Sequence, residues 1–283
     1  MNFGKYNQNA PTFNIVTNAD VTYLTSPVFD KVNWLNHGIS TRLGGVSEGF
    51  CASMNLAYNG FDDEAKVSRN YEILAQAAGF DVNRIVRPKQ VHGTNIVKIA
   101  ESHVFKSYKD PIADYQETDG LITNLPGVTL CSYSADCAII QICDPVNKAI
   151  GQCHSGWRGT KDRISAKLIT MMTENYGSNP ANLLVSVSPS ICQECFEVEW
   201  DMIKEARIGF RPEEYDKIYY KKNEVKYQFN LWEANRIVLM DAGVRDSNIF
   251  LPNLCTKCNP ETMFSHRNSG LKRGTLMSFM CIK

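Results

Sequence analysis

The sequence predicts a mixed α/β chain, an α+β arrangement of layered mixed sheets with flanking helices. Two observations carry this. Four continuous apolar runs, at 128–135, 137–144, 147–154 and 182–189, have the length of strands covered on both faces. Around them, segments with apolar residues at helical spacing appear without the strict strand–helix alternation of a doubly wound sheet.

Each element has a local reason. In 63–80, Val67, Tyr71, Leu74 and Ala78 share one helical face, and Gly79 suits the residue after the last turn. The runs 137–144 and 147–154 flank Asp144-Pro145-Val146-Asn147, a turn signal, so 137–154 is expected to be an antiparallel hairpin. In 160–177, Thr160 is the expected N-cap, Ile164, Leu168, Met171 and Met172 form the stripe, and Gly177 stops the helix. A weaker helix is expected at 197–210. The segment 230–243 opens with Asn230 and Glu233 spaced as a capping box and ends at Gly243. With no internal repeat, low-complexity tract or Pro/Gly/Ser linker, one domain is expected across 1–283, with 1–12 as a polar tail.

Composition narrows the function. Thirty Lys+Arg balance thirty Asp+Glu, which leaves no electrostatic footprint for nucleic acid or an anionic membrane. No apolar h-region follows the N-terminus and no run approaches a spanning helix, so a soluble cytoplasmic protein is expected. Its ten cysteines then read as thiols, metal ligands or catalytic groups rather than disulfides.

The densest chemistry is GQCHSGWRGT, 151–160. A strand ending at His154, a glycine-bounded turn and a helix opening at Thr160 would present free N–H groups to an anion, phosphate included, with Arg158 adding a planar donor fork. The hairpin brings the start of one strand, at Ala135-Asp136-Cys137, to the end of the other, making Cys137 and His154 expected neighbours. Of five histidines (His37, His92, His103, His154 and His266), His92 and His154 sit in glycine-containing turns beside apolar strands. Two imidazoles and one thiolate suit either a zinc site with an open fourth position or a thiol hydrolase.

The motifs HGISTRLGGVSEGFCASMNLAYN (37–59), QVHG (90–93), DG (119–120), SADC (134–137), HSGWRGT (154–160), SPSI and CFEV within 188–198, and CTKC with FSHR within 255–267 occur in the order of the YfiH-like laccase-domain family, which the chain resembles from about residue 20 onward. The resemblance implies a single layered α/β catalytic domain and one zinc ion, copper being the alternative, on His92, Cys137 and His154. It implies phosphorolysis of adenosine, inosine, guanosine and S-methyl-5′-thioadenosine, with adenosine deamination alongside, so the expected partners are small nucleosides and phosphate. The chain departs from the family at His266, where many relatives carry an aromatic residue, and in the extra cysteines 143 and 192.

Four further residues are substrate-contact candidates. Arg42, beside a diglycine turn, is expected to grip phosphate or ribose. Asp136 is expected to orient a ligand or contact a base amino group, Trp157 to stack on a purine, and Arg158 to hold the anion. Competing functions are a peptidoglycan-precursor amidase, a copper-dependent polyphenol oxidase, for which five histidines are too few, and a zinc-structural or redox scaffold. The last would rest on Cys192-x-x-Cys195 and Cys255-x-x-Cys258. With roughly 60 residues between the pairs and relatives lacking some of the four, a single zinc per chain is expected, with Cys192→Ser keeping its activity.

Overall fold

The computed structural model describes residues 3–4, 6–58, 60–101 and 115–283. Two six-stranded mixed sheets stack face to face, with helices on both outer surfaces. The first orders Asn14–Asn18, Val21–Thr25, Leu35–Ser40, Leu276–Ile282, Thr129–Ser134 and Ile85–Val86. The second orders Ile249–Phe250, Leu184–Val187, Ala138–Asp144, Ala149–Ser155, Gly120–Thr123 and Ile96–Lys98. Pairing is antiparallel except at one edge of the first sheet and both edges of the second.

Strand alternation sorts the core into layers. Ala138, Ile140 and Ile142 join Ala149 and Cys153 under the helices Ile164–Tyr176 and Leu231–Asp241. Their neighbours Cys143 and Ile150 turn the other way, onto Leu130, Met280 and Ile282 of the first sheet. The far side of the first sheet, with Cys131, Met277 and Phe279, is covered by Val67, Tyr71 and Leu74 of the helix Glu64–Ala78. These strands carry almost no polar face because both faces are covered. Two glutamines are among the exceptions. Gln141 and Gln152 are cross-strand partners buried between the sheets, where Gln141 donates to the Phe279 carbonyl and Gln152 accepts from the Ser278 hydroxyl.

Local signals set several boundaries as expected. Asp63 accepts from the Ala65 N–H and Gly79 adopts the left-handed conformation, φ 73°, ending Glu64–Ala78. The 137–154 hairpin forms between Ala138–Asp144 and Ala149–Ser155. Asn230 caps Leu231–Asp241 by accepting from the Glu233 N–H, but Glu233 pairs with Arg236 instead of completing the box.

Elsewhere the structure corrects the reading. Thr160 is not an N-cap. The helix there begins at Trp157 behind Gly156 and ends at Lys161, and Arg163, at φ 61°, separates it from Ile164–Tyr176. Thr160 is buried, its N–H and hydroxyl both bonded to the Gly156 carbonyl, so the expected anion seat at its amide is absent. The helix expected at 197–210 is shortened to Trp200–Arg207 because Glu197–Glu199 pairs as a strand with Lys226–Phe229 in a small antiparallel third sheet. The start of the chain docks rather than trailing: Phe3 is buried, the Tyr6 N–H bonds the Asn253 carbonyl and the Tyr6 ring meets Trp232 edge-on. His103 lies outside the described residues. Among these no helix is long and apolar enough to cross a membrane.

Candidate metal centre and its pocket

Three chain segments meet at one end of the second sheet. The hairpin register opposes Ile139 to His154 and Ala138 to Ser155, placing Cys137 beside the turn that follows His154. On the other side of that strand, Gly120–Thr123 pairs with it and receives Ile96–Lys98 in parallel, which delivers the loop carrying His92. One donor atom each from His92, Cys137 and His154 then lies within 4.8 Å of the others, and the two imidazoles meet edge to face with centroids 4.7 Å apart.

Asp119 organises this cluster, and sequence reasoning gave it no role. Its carboxylate is fully buried and accepts the backbone N–H groups of Val91, His92 and Gly93 at 3.0, 3.1 and 2.9 Å. It also takes the His154 Nδ1–H at 2.9 Å, which leaves Nε2 as the ring nitrogen a metal would use. The sequence signals were an acidic residue heading a buried strand and the DG of the family motifs, to which no role was attached. Burial alone would raise the Asp119 pKa, but the His154 and backbone hydrogen bonds outweigh it and hold the group below the usual carboxylate range. In the same loop, His92 occupies the left-handed region at φ 60°, a conformation the anchored amides help to hold.

The donor set fits a zinc ion. Two imidazoles and one thiolate are ligands zinc prefers, a carboxylate orients one imidazole, and a three-residue set leaves a position open. Gly156 makes room for it. A Cβ there would stand 2.9 Å from the Cys137 sulfur and 3.3 Å from His92 Nδ1. Gly156→Ala is therefore expected to weaken zinc binding about 10- to 100-fold, on the scale of lost ligand orientation, with little change in Tm. Unchanged affinity in a competition titration with a chromophoric chelator would show that the ligands do not need that space.

Proton linkage gives a second expectation. Burial lowers the His154 pKa, but its interactions with the Cys137 sulfur and the Asp119 carboxylate more than reverse this, raising it to about 9. Burial and the neighbouring His154 push His92 below its ordinary value. Zinc must displace the His154 proton, so apparent affinity is expected to rise about tenfold per pH unit from neutrality until about pH 9. A pH-independent affinity for the metal-free protein over that range would contradict the linkage.

Two members of the cluster, His92 and Cys137, line a cavity of about 360 Å³ together with Ala135, Trp157, Ile191, Phe196, Leu231 and Leu271, with Asp136, His266, Arg267 and Arg273 as polar members. Trp157 is half-buried there, and the Arg158 guanidinium lies 4.3 Å over its ring, exposed to solvent. Asp136, at φ 95°, accepts from the Thr256 hydroxyl and the Arg267 N–H, tying a third segment to the pocket. Arg42 is elsewhere. Its guanidinium donates to the Ala52 and Pro260 carbonyls and lies over Phe264, as a tie between loops. Arg273, which the sequence reading passed over, also lines the cavity; its Nη1 donates to the Gly274 carbonyl and the Thr275 hydroxyl, while its buried Nε has no hydrogen-bond partner among the described residues.

Residues 36–283 match the family model described as multi-copper polyphenol oxidoreductase laccase. Purine nucleoside phosphorylase YlmD of Bacillus subtilis is 32% identical over 246 residues, 87% of this chain and 88% of that protein. A protein from an unknown prokaryotic organism, named adenosine deaminase RL5, is 29% identical over 231 residues, 79% of this chain and 84% of its own. Among solved structures, hypothetical protein YfiH of Bacillus licheniformis superposes with a TM-score of 0.89 at 30% identity, covering 96% of this chain and 99% of that one.

Proposed function

Because the chain belongs to the family described as multi-copper polyphenol oxidoreductase laccase, with relatives named purine nucleoside phosphorylase, we propose that it is a zinc enzyme that cleaves purine nucleosides with phosphate. The observation that carries this is the two-imidazole, one-thiolate cluster, of which His92 and Cys137 line a largely apolar cavity that also holds the Arg273 guanidinium. A cavity of about 360 Å³ lies in the range of small-molecule sites, and its aromatic walls suit a purine. Held by His92, Cys137 and His154, zinc would supply Lewis-acid polarisation of an oxygen at its open position.

The protein's own groups take the remaining work. Trp157 and Phe196 offer faces for the base. Arg273 offers charge-assisted donors to phosphate, the role first expected of Arg42. In phosphorolysis a phosphate oxygen bonds to the anomeric carbon as the bond from that carbon to the base nitrogen breaks, and the base leaves with a proton. The pocket's contribution is to align the two reactants and exclude water from the anomeric carbon. Adenosine deamination in the same pocket is supported by the relative named adenosine deaminase. Copper-relay oxidation draws little support, because a relay of several coppers needs many imidazoles and, among the described residues, only two gather in a candidate metal site.

Incubating the purified protein with inosine, with and without phosphate, tests the proposal. Hypoxanthine and ribose 1-phosphate are expected only with phosphate, and phosphate-independent release of base would reject it. Arg273→Ala is expected to raise the phosphate KM about 10- to 100-fold with zinc content unchanged, the scale of a lost charge-assisted contact. Arg42→Ala is expected to lower stability by about 1–3 kcal/mol through its two lost carbonyl bonds, with phosphate KM unchanged. If instead Arg42→Ala alone moves the phosphate KM, the anion role returns to Arg42.

A further inference from the structure

Four cysteines that the proposed chemistry leaves unused come together beside the same cavity. Cys192-x-x-Cys195 follows the strand Leu184–Val187, and Cys255-x-x-Cys258 follows Ile249–Phe250. Those strands pair in parallel, Val185 beside Ile249 and Ser186 beside Phe250, and the pairing continues as a bridge from Ser190 to Cys255. A parallel pair delivers both chain continuations to the same end of the sheet. The long gap that argued against closure is thus spanned by the sheet itself, and the two cysteine pairs arrive side by side.

One sulfur from each of the four lies within 4.8 Å of all the others, with Cys195 and Cys258 3.4 Å apart. The Cys192 N–H donates to the Cys255 sulfur at 3.3 Å, the kind of outer hydrogen bond that steadies a metal-bound thiolate. Cys192 and Cys255 are buried, Cys195 is half-buried and Cys258 exposed, so the cluster is walled on one side and has an entry path on the other.

We infer that Cys192, Cys195, Cys255 and Cys258 bind a second zinc ion in closed four-sulfur coordination, distinct from the site at His92, Cys137 and His154. Paired C-x-x-C ligands with four convergent sulfurs are the pattern of structural zinc. The ion would clamp together two cavity-wall segments. One carries Ile191 and Phe196. The other runs from Cys255 through Thr256, which donates to Asp136, to Arg267, whose N–H does the same. The expected single zinc per chain is accordingly replaced by two.

Metal counting tests this whatever reaction the cavity performs. Proteins purified in zinc-supplemented medium and washed with EDTA are expected to hold two zinc ions per chain in the wild type. One is expected in Cys137→Ala, one in Cys258→Ser and none in the double variant. To keep the test independent of the folding of Cys258→Ser, Cys137→Ala carries a second readout. With cobalt in place of zinc it should show sulfur-to-cobalt charge-transfer absorption of four-thiolate strength, and titration with a mercurial should release one metal ion as those thiols react. Cys137→Ala protein without metal or that absorption, with iron as its metal, or with the four cysteines oxidised to disulfides would overturn the inference.

Discussion

Cys137→Ala is expected to lose the zinc at His92 and His154 and to slow inosine phosphorolysis at least about a hundredfold, with the fold retained. The thiolate is the only charged protein ligand in that set. Removing it leaves two neutral imidazoles, a much poorer site for a borderline-soft cation, and loss of a direct ligand should exceed the 10- to 100-fold effect typical of its supporting partners. Stability should fall only slightly. Cys137 is partly exposed at the cavity, immediately before a strand that hydrogen-bonds without its side chain, and it forms no disulfide. The measurements are zinc content, initial rate and Tm on one preparation. A variant working at the wild-type rate would remove the metal from the proposed chemistry.

Asp119→Ala is expected to damage both site and fold. The carboxylate accepts three backbone N–H groups and the His154 imidazole with no solvent exposure, so truncation orphans four donors at once. Loss of about 3–5 kcal/mol follows from breaking one partner out of such a buried charged network. Zinc affinity should also fall about 10- to 100-fold as His154 loses its orientation. The pH dependence has a definite sign. Because the folded-state pKa of Asp119 is depressed, its stabilisation is present above the unfolded value near about 3.9 and is lost as pH falls through the lower folded value. The stability gap between wild type and Asp119→Ala should therefore narrow below about pH 4. Denaturant titrations that give the same gap at pH 7 and pH 3 would refute this account.

What the sequence disclosed divides along the range of the interactions. Glu64–Ala78 was legible because its apolar stripe and Gly79 act on their own helix, and the 137–154 hairpin because its turn lies between its strands. Gly156 was not read as the cap, since a threonine that bonds back to a carbonyl four residues earlier looks, in sequence, like one that opens a helix. Glu197–Glu199 became a strand only because Lys226–Phe229 lies alongside it. The grouping of His92, Cys137 and His154 came from the family resemblance, with the hairpin register independently placing only the last two near each other. Asp119 was hidden because its partners are amides, which every residue carries. The loop-tying bonds of Arg42 were not legible because one partner, the Pro260 carbonyl, is 218 positions away.

The glutamine seam between the sheets has a consequence for how such a protein can diversify. Gln141 and Gln152 each hydrogen-bond the opposite sheet, so sliding one sheet over the other would break both contacts in a buried setting. His154 lies two residues beyond Gln152 on the same face of the same strand, and Asp119 ties the His92 loop to that strand. The proposed metal donors are thus referenced to a fixed datum inside the fold, whereas the part of the cavity wall formed by His266, Arg267 and Leu271 belongs to an exposed surface segment. Substitutions in that wall can retune which molecule enters without shifting the donors. Selectivity and metal chemistry can therefore drift independently, one carried by the rim and the other by the frame.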